Sequence, residues 1–361
     1  MQNILVFFGG RSNESEISII TGMFAYNLLK SGCYNAVPVY IGNDGVFYTN
    51  AHMNSVEYFR AYIPQKKDAV ALFKGCLVRA DKPKKVLLKA DCALNCCHGG
   101  MGEDGTLSAL LRFHGIKSAS PDTAPSAVFM DKTFSKFAAK GLGIPVLPSL
   151  TLKEGEGTDT LKELGYPVIL KPARLGSSIG IKVVNSEEEL AAALAYAFRL
   201  DNIVLAEKYL QKKSDINCAA YFYKGEVVVS DCEEVFSDSE ILTFSEKYEG
   251  TGERHSTFPA AIPKETSDKI KEYVKTIYTA FRIRGVVRAD FLLAGKEVYF
   301  NELNTVPGSL ASYLFGEKLT ECRAFVCRLT EEALLQTEAE KEVVSSGILN
   351  GNVFAGRKVK R

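Results

Sequence analysis

The sequence predicts an α/β protein, with an open parallel sheet in its first third and two segments of α+β character after it. Three observations predict it. Apolar residues switch repeatedly between the two-residue period of strands and the 3.6-residue period of helices. Residues 4–8 and 92–97 are largely apolar runs, as strands buried on both faces require. Each run ends in a glycine-rich loop, and ligands of open α/β sheets gather beyond the carboxyl ends of the strands.

The elements follow in order. Residues 4–8 form the first strand, and Gly9-Gly10-Arg11-Ser12 turns into a helix over 13–29. Ser12 is its expected N-cap, and Ile17, Ile20, Ala25 and Leu28 its buried stripe. A second strand covers 36–41. Residues 42–89 read as irregular, with short strand candidates and a basic patch at 82–85. The strand at 92–97 ends in His98-Gly99-Gly100, and a helix starts near Thr106. Helices at 124–129 and 132–141 are broken by Gly143 and Pro145. A strand at 167–171, a Gly- and Ser-rich loop at 174–180 and a returning strand at 181–184 come next. Ser186, with Glu189 three residues on, caps a helix over 186–200, and a strand at 203–210 closes the segment. A hairpin (217–223 and 227–232) turns at Lys224-Gly225. An open polar stretch, 236–256, leads to a helix over 267–282, a second hairpin (286–293 and 298–304) and a final helix over 317–335. The basic end, 357–361, frays.

Composition narrows the function. With 361 residues, 46% of them hydrophobic, the chain holds two or three domains at roughly 100–200 residues each. Lys+Arg 44 against Asp+Glu 43 leaves a net charge of +1, which argues against a nucleic-acid binder working through a broad basic surface. No apolar run approaches the roughly 18–20 residues that cross a bilayer. The N-terminus reads as a first strand and not as a signal peptide. Nine cysteines without a CxxC pair, set mostly in apolar runs, fit a reduced, cytoplasmic protein.

The second hairpin carries the sharpest chemical signal. Arg288 and Asp290 share one face of a strand, and Glu302 and Asn304 share a face of the next. A turn at Gly295-Lys296-Glu297 pairs residues whose numbers sum to 592, so Asp290 opposes Glu302 and Arg288 opposes Asn304. Opposed carboxylates destabilise a sheet and call for a cation, and hard oxygen donors suit Mg²⁺. The other reading is a solvated face on which Arg288 neutralises Asp290, and a one-residue slip of register would separate the acids.

Elsewhere the signals are weaker one by one. The loop Gly176-Ser177-Ser178-Ile179-Gly180 lets backbone N–H groups approach an anion, and Lys171 ends the strand before it. Taken alone it reads equally as a hairpin turn. Lys132, at a helix start, reads more simply as a surface charge. His98 opens a loop with four glycines in nine residues and reads as a positioned loop residue as readily as a catalytic one. Glu14 and Glu16 either complement a helix dipole or face a cleft beyond the first strand.

Six motifs, GGRSNESEIS, HGGMGEDGTLSALL, MDKTFSK, ILKPARLGSSIGI, VRADF and NELNTVPG, occur in the order seen in D-alanine–D-alanine ligases of the ATP-grasp superfamily. The sequence resembles that family to about residue 335. The resemblance implies a substrate-binding α/β domain over 1–121, a central ATP-grasp subdomain over 122–210, a catalytic ATP-grasp subdomain over 211–340 and a tail over 341–361. It implies transfer of the γ-phosphoryl of ATP to a D-alanine carboxylate. The amino group of a second D-alanine then attacks the acylphosphate, giving D-Ala-D-Ala for peptidoglycan. ATP and Mg²⁺ are the implied cofactors, with Mn²⁺ able to replace Mg²⁺ and two divalent ions per active site. Small-molecule substrates (D-alanine or an analogue) and a homodimer are expected, without nucleic acid or membrane partners.

The family's residues map onto this sequence by motif. Lys132 and Lys171 are implied phosphate ligands, and Ser178 and Lys247 belong to the same nucleotide set. Glu207 and the Leu210 backbone are implied adenine contacts. Asp290, Glu302 and Asn304 are implied metal ligands. Arg288 and the Gly308 amide are implied stabilisers of the transferring phosphoryl group and the tetrahedral species. Glu14 is the implied anchor of the first substrate's ammonium, with Ser177 and Tyr248 as its partners. His98, Ser312 and Tyr313 complete the implied substrate set. Three departures stand out. Asp215 replaces the family's ribose-binding glutamate, and the stretch 236–256, an expected lid, keeps only the Lys247-Tyr248 end of the family's run. Tyr313 falls at a serine in the stretch that holds the second substrate's carboxylate. A ligase of the same chemistry with another second substrate, or a nucleotide-binding regulator without catalysis, are the competing readings.

Overall fold

The apolar run at the N-terminus becomes the centre of an eight-stranded sheet. The structure, a computed structural model, describes residues 1–32, 34–157, 159–236 and 256–336. Strand Gln2–Gly9 pairs in parallel with Tyr34–Ile41 on one side and Cys92–Asn95 on the other, and Cys92–Asn95 pairs in parallel with Lys117–Ser118. Ile4, Leu5, Val6, Phe7 and Phe8 are fully buried, so both faces are covered.

Only this half of the sheet is parallel. The stretch read as irregular supplies four antiparallel strands, Phe47–Tyr48, Ala69–Phe73, Cys76–Arg79 and Lys82–Lys89, added in order beyond Tyr34–Ile41. The first three are at most five residues long, too short to show a period-two pattern. The fourth is the edge strand. Its lysines 82, 84, 85 and 89 put charge where an open edge would otherwise invite a second strand.

Helix Ser15–Lys30 buries Ile17, Ala25 and Leu28, three of the four residues of its expected stripe. Ser12 does not cap it: its Oγ donates to the His98 carbonyl at 2.6 Å and accepts from Glu14 N at 3.2 Å, tying two loops together. Ile20, expected in the buried stripe, is 48% exposed. The buried face also carries Ser18, Thr21 and Gly22, small residues that let the helix lie close. A Cβ on Gly22 would sit 2.3 Å from the Phe8 Cβ, so only glycine fits at the crossing.

The second sheet has the order Lys182–Val184, Val168–Pro172, Ile203–Lys208, Ser149–Lys153, all antiparallel. Helix Glu187–Phe198 buries Leu190, Leu194 and Ala197 against it. The capping box expected from Ser186 and Glu189 does not form, because Glu189 accepts from the Asn185 amide at 2.9 Å instead.

The third sheet runs Ser256–Thr257, Glu233–Val235, Ser214–Tyr223, Val286–Ala294, Glu297–Asn304, with Glu226–Val229 paired to Ser214–Tyr223. Lys224 and Gly225 form a two-residue turn with φ of +50° and +88°, as the sequence suggested. Helix Lys264–Ala280 packs Ile270, Val274 and Ile277 on one face. Helices Thr123–Met130 and Lys132–Gly141 put Phe129 and Ala139 into that same core, although sequence order places them with the second sheet. On the other face, Phe325, Val326 and Leu329 of helix Leu319–Leu335 share a core with Ile4, Val6 and Phe8 of the first sheet. Among the described residues no helix is long and apolar enough to cross a membrane.

Candidate active site

The hairpin Val286–Ala294 and Glu297–Asn304 places the acids face to face. Arg288 pairs with Asn304 and Asp290 with Glu302, the pairs whose numbers sum to 592. The route to that register is not the expected one. The turn is the two residues Gly295-Lys296, and Ala294 pairs with Glu297. Left alone, that turn would set Asp290 opposite Asn301. A bulge between the Phe291–Phe300 and Asp290–Glu302 pairs takes up Asn301 as the extra residue and restores the alignment. Asn217 opposes Asp290 on the next strand, and Glu233 opposes Asn217 beyond it. A polar row, Glu233, Asn217, Asp290, Glu302, therefore crosses the sheet on one face.

Each hairpin acid has its own protein cation. Arg288 Nε and Nη2 donate to the two oxygens of Asp290 at 2.7 and 2.8 Å, and Asn304 Nδ2 donates to Asp290 Oδ2 at 3.0 Å. Lys132 Nζ lies 3.4 Å from Glu302 Oε2 and donates to the Leu175 carbonyl at 2.6 Å. The Arg288–Asp290 ion pair coexists with the opposed acids, on a face that is largely buried and not solvated. Burial works against the Arg288 charge, but Asp290 and a hydrogen bond with Tyr313 outweigh it and hold its pKa well above the usual value. Asp290, Glu302 and an Asn304 turned to offer its oxygen supply three hard donors, a set that fits a divalent cation in exchange for the present partners.

Behind the hairpin lies a buried charge triad. Glu207 is fully buried on Ile203–Lys208, with Lys136 Nζ 2.7 Å from one oxygen and Lys171 Nζ 2.5 Å from the other. Both contacts are close ion pairs, though neither has the direction of a hydrogen bond. Burial alone would raise the Glu207 pKa, but the two ammonium groups pull it down to about 2. Burial lowers Lys136, helped by Lys171 and opposed by Glu207. Lys136 also donates to the Phe300 carbonyl at 2.9 Å, and Lys171 to Asn301 Oδ1 at 2.9 Å. The bulged residue thus meets the second sheet's lysine. Lys132 is buried as well and is not the solvated charge its position suggested.

The Gly–Ser loop closes on Glu14. Ser177 Oγ donates to Glu14 Oε1. A Cβ on Gly176 would lie 2.5 Å from the Glu14 carboxylate and one on Gly99 2.9 Å from it, so two glycines cradle the acid. Ser177 and Ser178 adopt φ of +52° and +59°, a left-handed turn in a loop rich in small residues.

The loop after Cys92–Asn95 and the turn after Glu297–Asn304 are fastened together. Glu103 Oε2 accepts from Gly99 N at 2.9 Å and Oε1 from Val306 N at 3.3 Å. Burial, then Glu14, pushes the Glu103 pKa up to about 7, with Glu302 adding to the rise and the two amides opposing it. His98 is buried beside Arg288, which brings its pKa down to about 4, opposed by a hydrogen bond to the Val306 backbone. Ser309, Leu310 and Ala311 are all left-handed, with φ of 48°, 55° and 49°. Such conformations cost L-residues roughly 1–2 kcal/mol each, and they persist where the surroundings over-determine them. Burial of Leu310 and Ala311 in the core is part of that hold.

The structure therefore brings Glu14, Ser177, His98, Lys132, Lys171, Arg288, Asp290, Glu302 and Asn304 together through linked contacts. Ser312 is buried in the turn that starts at Gly308, and Tyr313 reaches Arg288. Leu210 is half-buried in the link between the second and third sheets. Asp215 is the second residue of the third sheet's central strand and pairs with Lys213 at 2.5 Å. Glu207 faces lysines and not open space. Lys247, Tyr248 and the interior of the 236–256 stretch lie outside the described residues. Sequence reasoning passed over Lys136, Glu103, Asn301 and Thr21. Lys136 was findable, since it sits four residues after Lys132 on one helix face.

Two family models match, "D-ala D-ala ligase N-terminus" over residues 3–120 and "D-ala D-ala ligase C-terminus" over residues 138–322. A "D-alanine--D-alanine ligase" of Thermosipho melanesiensis is 35% identical over 327 residues, covering 87% of this chain and 89% of its own. One of Campylobacter jejuni subsp. jejuni is 31% identical, covering 92% and 94%. Among solved structures, a D-alanine–D-alanine ligase from Helicobacter pylori superposes with a TM-score of 0.76 at 28% identity, covering 93% of this chain and 99% of its own. The VanG D-Ala:D-Ser ligase of Enterococcus faecalis gives 0.77 at 27%, covering 91% and 98%.

Two outcomes test the electrostatics. Glu207→Ala strands two buried lysines and will lower unfolding stability by about 3–5 kcal/mol in urea titrations, whereas Lys136→Met, which leaves Glu207 with Lys171, will cost less. An equal or larger loss in Lys136→Met would refute the triad. Because the folded-state pKa of Glu103 lies above its unfolded value of 4.5, its contribution to stability is present below pH 4.5 and is lost as pH rises through about 7. The stability of Glu103→Gln relative to wild type will therefore improve steadily between those limits. A flat difference across that range would show that Glu103 titrates normally.

Proposed function

Because this chain belongs to the D-alanine–D-alanine ligase family, we propose that it joins two D-alanine molecules at the expense of ATP, supplying D-Ala-D-Ala for peptidoglycan. It is an ATP-dependent carboxylate–amine ligase. The observation that carries the reading is the convergence of Glu14 and its serine partner, the lysines Lys132 and Lys171, and the opposed acids Asp290 and Glu302.

In this reading the first D-alanine binds through its ammonium to Glu14, whose place is fixed by Ser177 and by the Gly99 and Gly176 backbones. Its carboxylate oxygen attacks the γ-phosphorus of ATP, and ADP leaves. Lys132 and Lys171 release their present partners and neutralise phosphate oxygens, with Ser178 and its loop beside them. The adenosine lies along the link at Leu210 and Asp215, and Glu207 acts there chiefly by setting Lys171. Lys247 and Tyr248 belong to the same set by motif alone. The uncharged amine of the second D-alanine then attacks the acyl carbon, the C–O bond to phosphate breaks, and the proton shed by the nitrogen leaves on the departing phosphate. Arg288 and the Gly308 amide face the developing negative charge, and preorganised donors of this kind are worth about 10²–10³ in rate. His98, Ser312 and Tyr313 line the acceptor side. No enzyme nucleophile is required, since positioning and charge neutralisation carry both steps.

Mg²⁺, or Mn²⁺ in its place, belongs to the proposal, with two ions held by Asp290, Glu302 and Asn304. When bound they would neutralise phosphate oxygens and align the transferring group. A homodimer in the cytoplasm completes the reading, which sedimentation velocity tests.

One observation favours a second reading. The Tyr313 hydroxyl sits on Arg288 at the acceptor side, where the family pattern has a serine. A ligase of identical chemistry with another acceptor follows from that substitution. ADP release measured with ATP, Mg²⁺ and D-alanine as donor, across D-alanine, D-serine, D-lactate and L-alanine as acceptors, separates the two. Turnover with D-alanine alone is the expected result, and brisk turnover only with another acceptor would replace the first reading by the second. Asp290→Ala will reduce that turnover by at least about a hundredfold, because it removes a ligand of the charge-neutralising ion. Unchanged turnover would exclude Asp290 from the metal set.

A further inference from the structure

Helix Ser15–Lys30 turns a buried hydroxyl toward the cleft that no step above uses. Thr21 is 1% exposed. Its Oγ1 lies 2.9 Å from His98 Nε2 and accepts the Ser309 N–H at 3.2 Å. The His98 ring is also hydrogen-bonded to the Val306 backbone, in the sense that favours a proton on the ring. One arrangement of protons satisfies every group. Neutral His98 carries its proton on Nδ1 and donates to the Val306 carbonyl, the Thr21 hydroxyl donates to Nε2, and the Thr21 oxygen accepts from Ser309.

The relay joins three segments distant in sequence. Its far end is the first residue of the left-handed run Ser309–Ala311, next to Gly308. Glu103 holds the amide of Val306 while His98 holds its carbonyl, so the approach to the run is fixed on both sides. Ser309 itself is fixed by Thr21. Valine has nearly the same shape as threonine but can neither donate to the imidazole nor accept from the amide, so it isolates the hydroxyl's role.

We propose that Thr21 is a positioning residue: its hydroxyl locks His98 and the left-handed turn together, and so sets the acceptor side of the cleft around the Gly308 amide. The inference rests on the ligase reading for its kinetic consequence but not for its structural one. Two readouts on the full-length protein keep them apart. In the free protein, amide hydrogen exchange of peptides covering residues 306–311 will be about tenfold faster in Thr21→Val and restored in Thr21→Ser. In turnover, Thr21→Val will raise the Michaelis constant of the second amino acid about tenfold, with those of ATP and the first within about twofold and Thr21→Ser near wild type. Should Thr21→Val not fold, Thr21→Ala is read the same way. Unchanged exchange at 306–311, equal behaviour of the Val and Ser variants, or a uniform rise of all three constants would overturn the inference. Absence of D-alanine-dependent ADP release in the wild type would overturn the ligase reading and leave the exchange result to decide this one.

Discussion

Pairing of buried charge across segments is the constraint on which the cleft depends. Lys136 and Lys171 come from different elements and converge on Glu207, and Lys132 meets Glu302. In a low-dielectric interior none of these groups is tolerated alone, so each pairing dictates where its helix or strand must sit. The arrangement also suits the proposed chemistry. A nucleotide and its cations bring both signs of charge. They can take over Lys132, Lys171, Asp290 and Glu302 by exchanging partners, without leaving any of the four bare.

Asn301 shows how finely that pairing is placed. A two-residue turn alone would have put an amide opposite Asp290. The bulge moves Glu302 into that position and sends the Asn301 side chain to Lys171, the lysine that also holds Glu207. One extra residue thus aligns the acids and links the second and third sheets. Bulges beside functional sites redirect side chains in this way.

The hairpin also shows what was legible in the sequence and what was not. Face-sharing along a strand is local, so the two acids and their neighbours could be read two residues apart. The expected register was met through compensating features, a turn one residue shorter than assumed and a bulge that no local pattern announces. Ile20 was misplaced because the helix meets its sheet through Ser18, Thr21 and Gly22, small residues that a hydrophobic stripe does not weigh. Thr21 and Glu103 were hidden because His98, Ser309 and Val306, which they meet, lie far along the chain. Residues 42–89 hid their strands for another reason, since three of the four are too short for a two-residue period to emerge. Motif order conveyed more than any of these local signals, because it samples many sites that packing brings together.

Why the turn after Gly308 can hold left-handed strain follows from the core beneath it. Leu310, Ala311 and Leu314 pack in the cluster that contains Ile4, Val6 and Phe8 of the first sheet and Phe325 and Val326 of the last helix. Phe315 stacks on Phe325 with their centroids 4.8 Å apart, and both rings meet Tyr221 edge-on. Relaxing the turn to right-handed geometry would withdraw its apolar residues from a core shared by two sheets. The strain is therefore confined between a rigid apolar floor and the polar fastenings of Thr21, His98 and Glu103 above it. Neither layer suffices by itself: the floor fixes depth, while direction toward the cleft comes only from directed hydrogen bonds. That division explains why buried polar groups cluster here, at the junction of helix Ser15–Lys30 and the hairpin of Val286–Ala294 and Glu297–Asn304, and not in the outer strands of the first sheet.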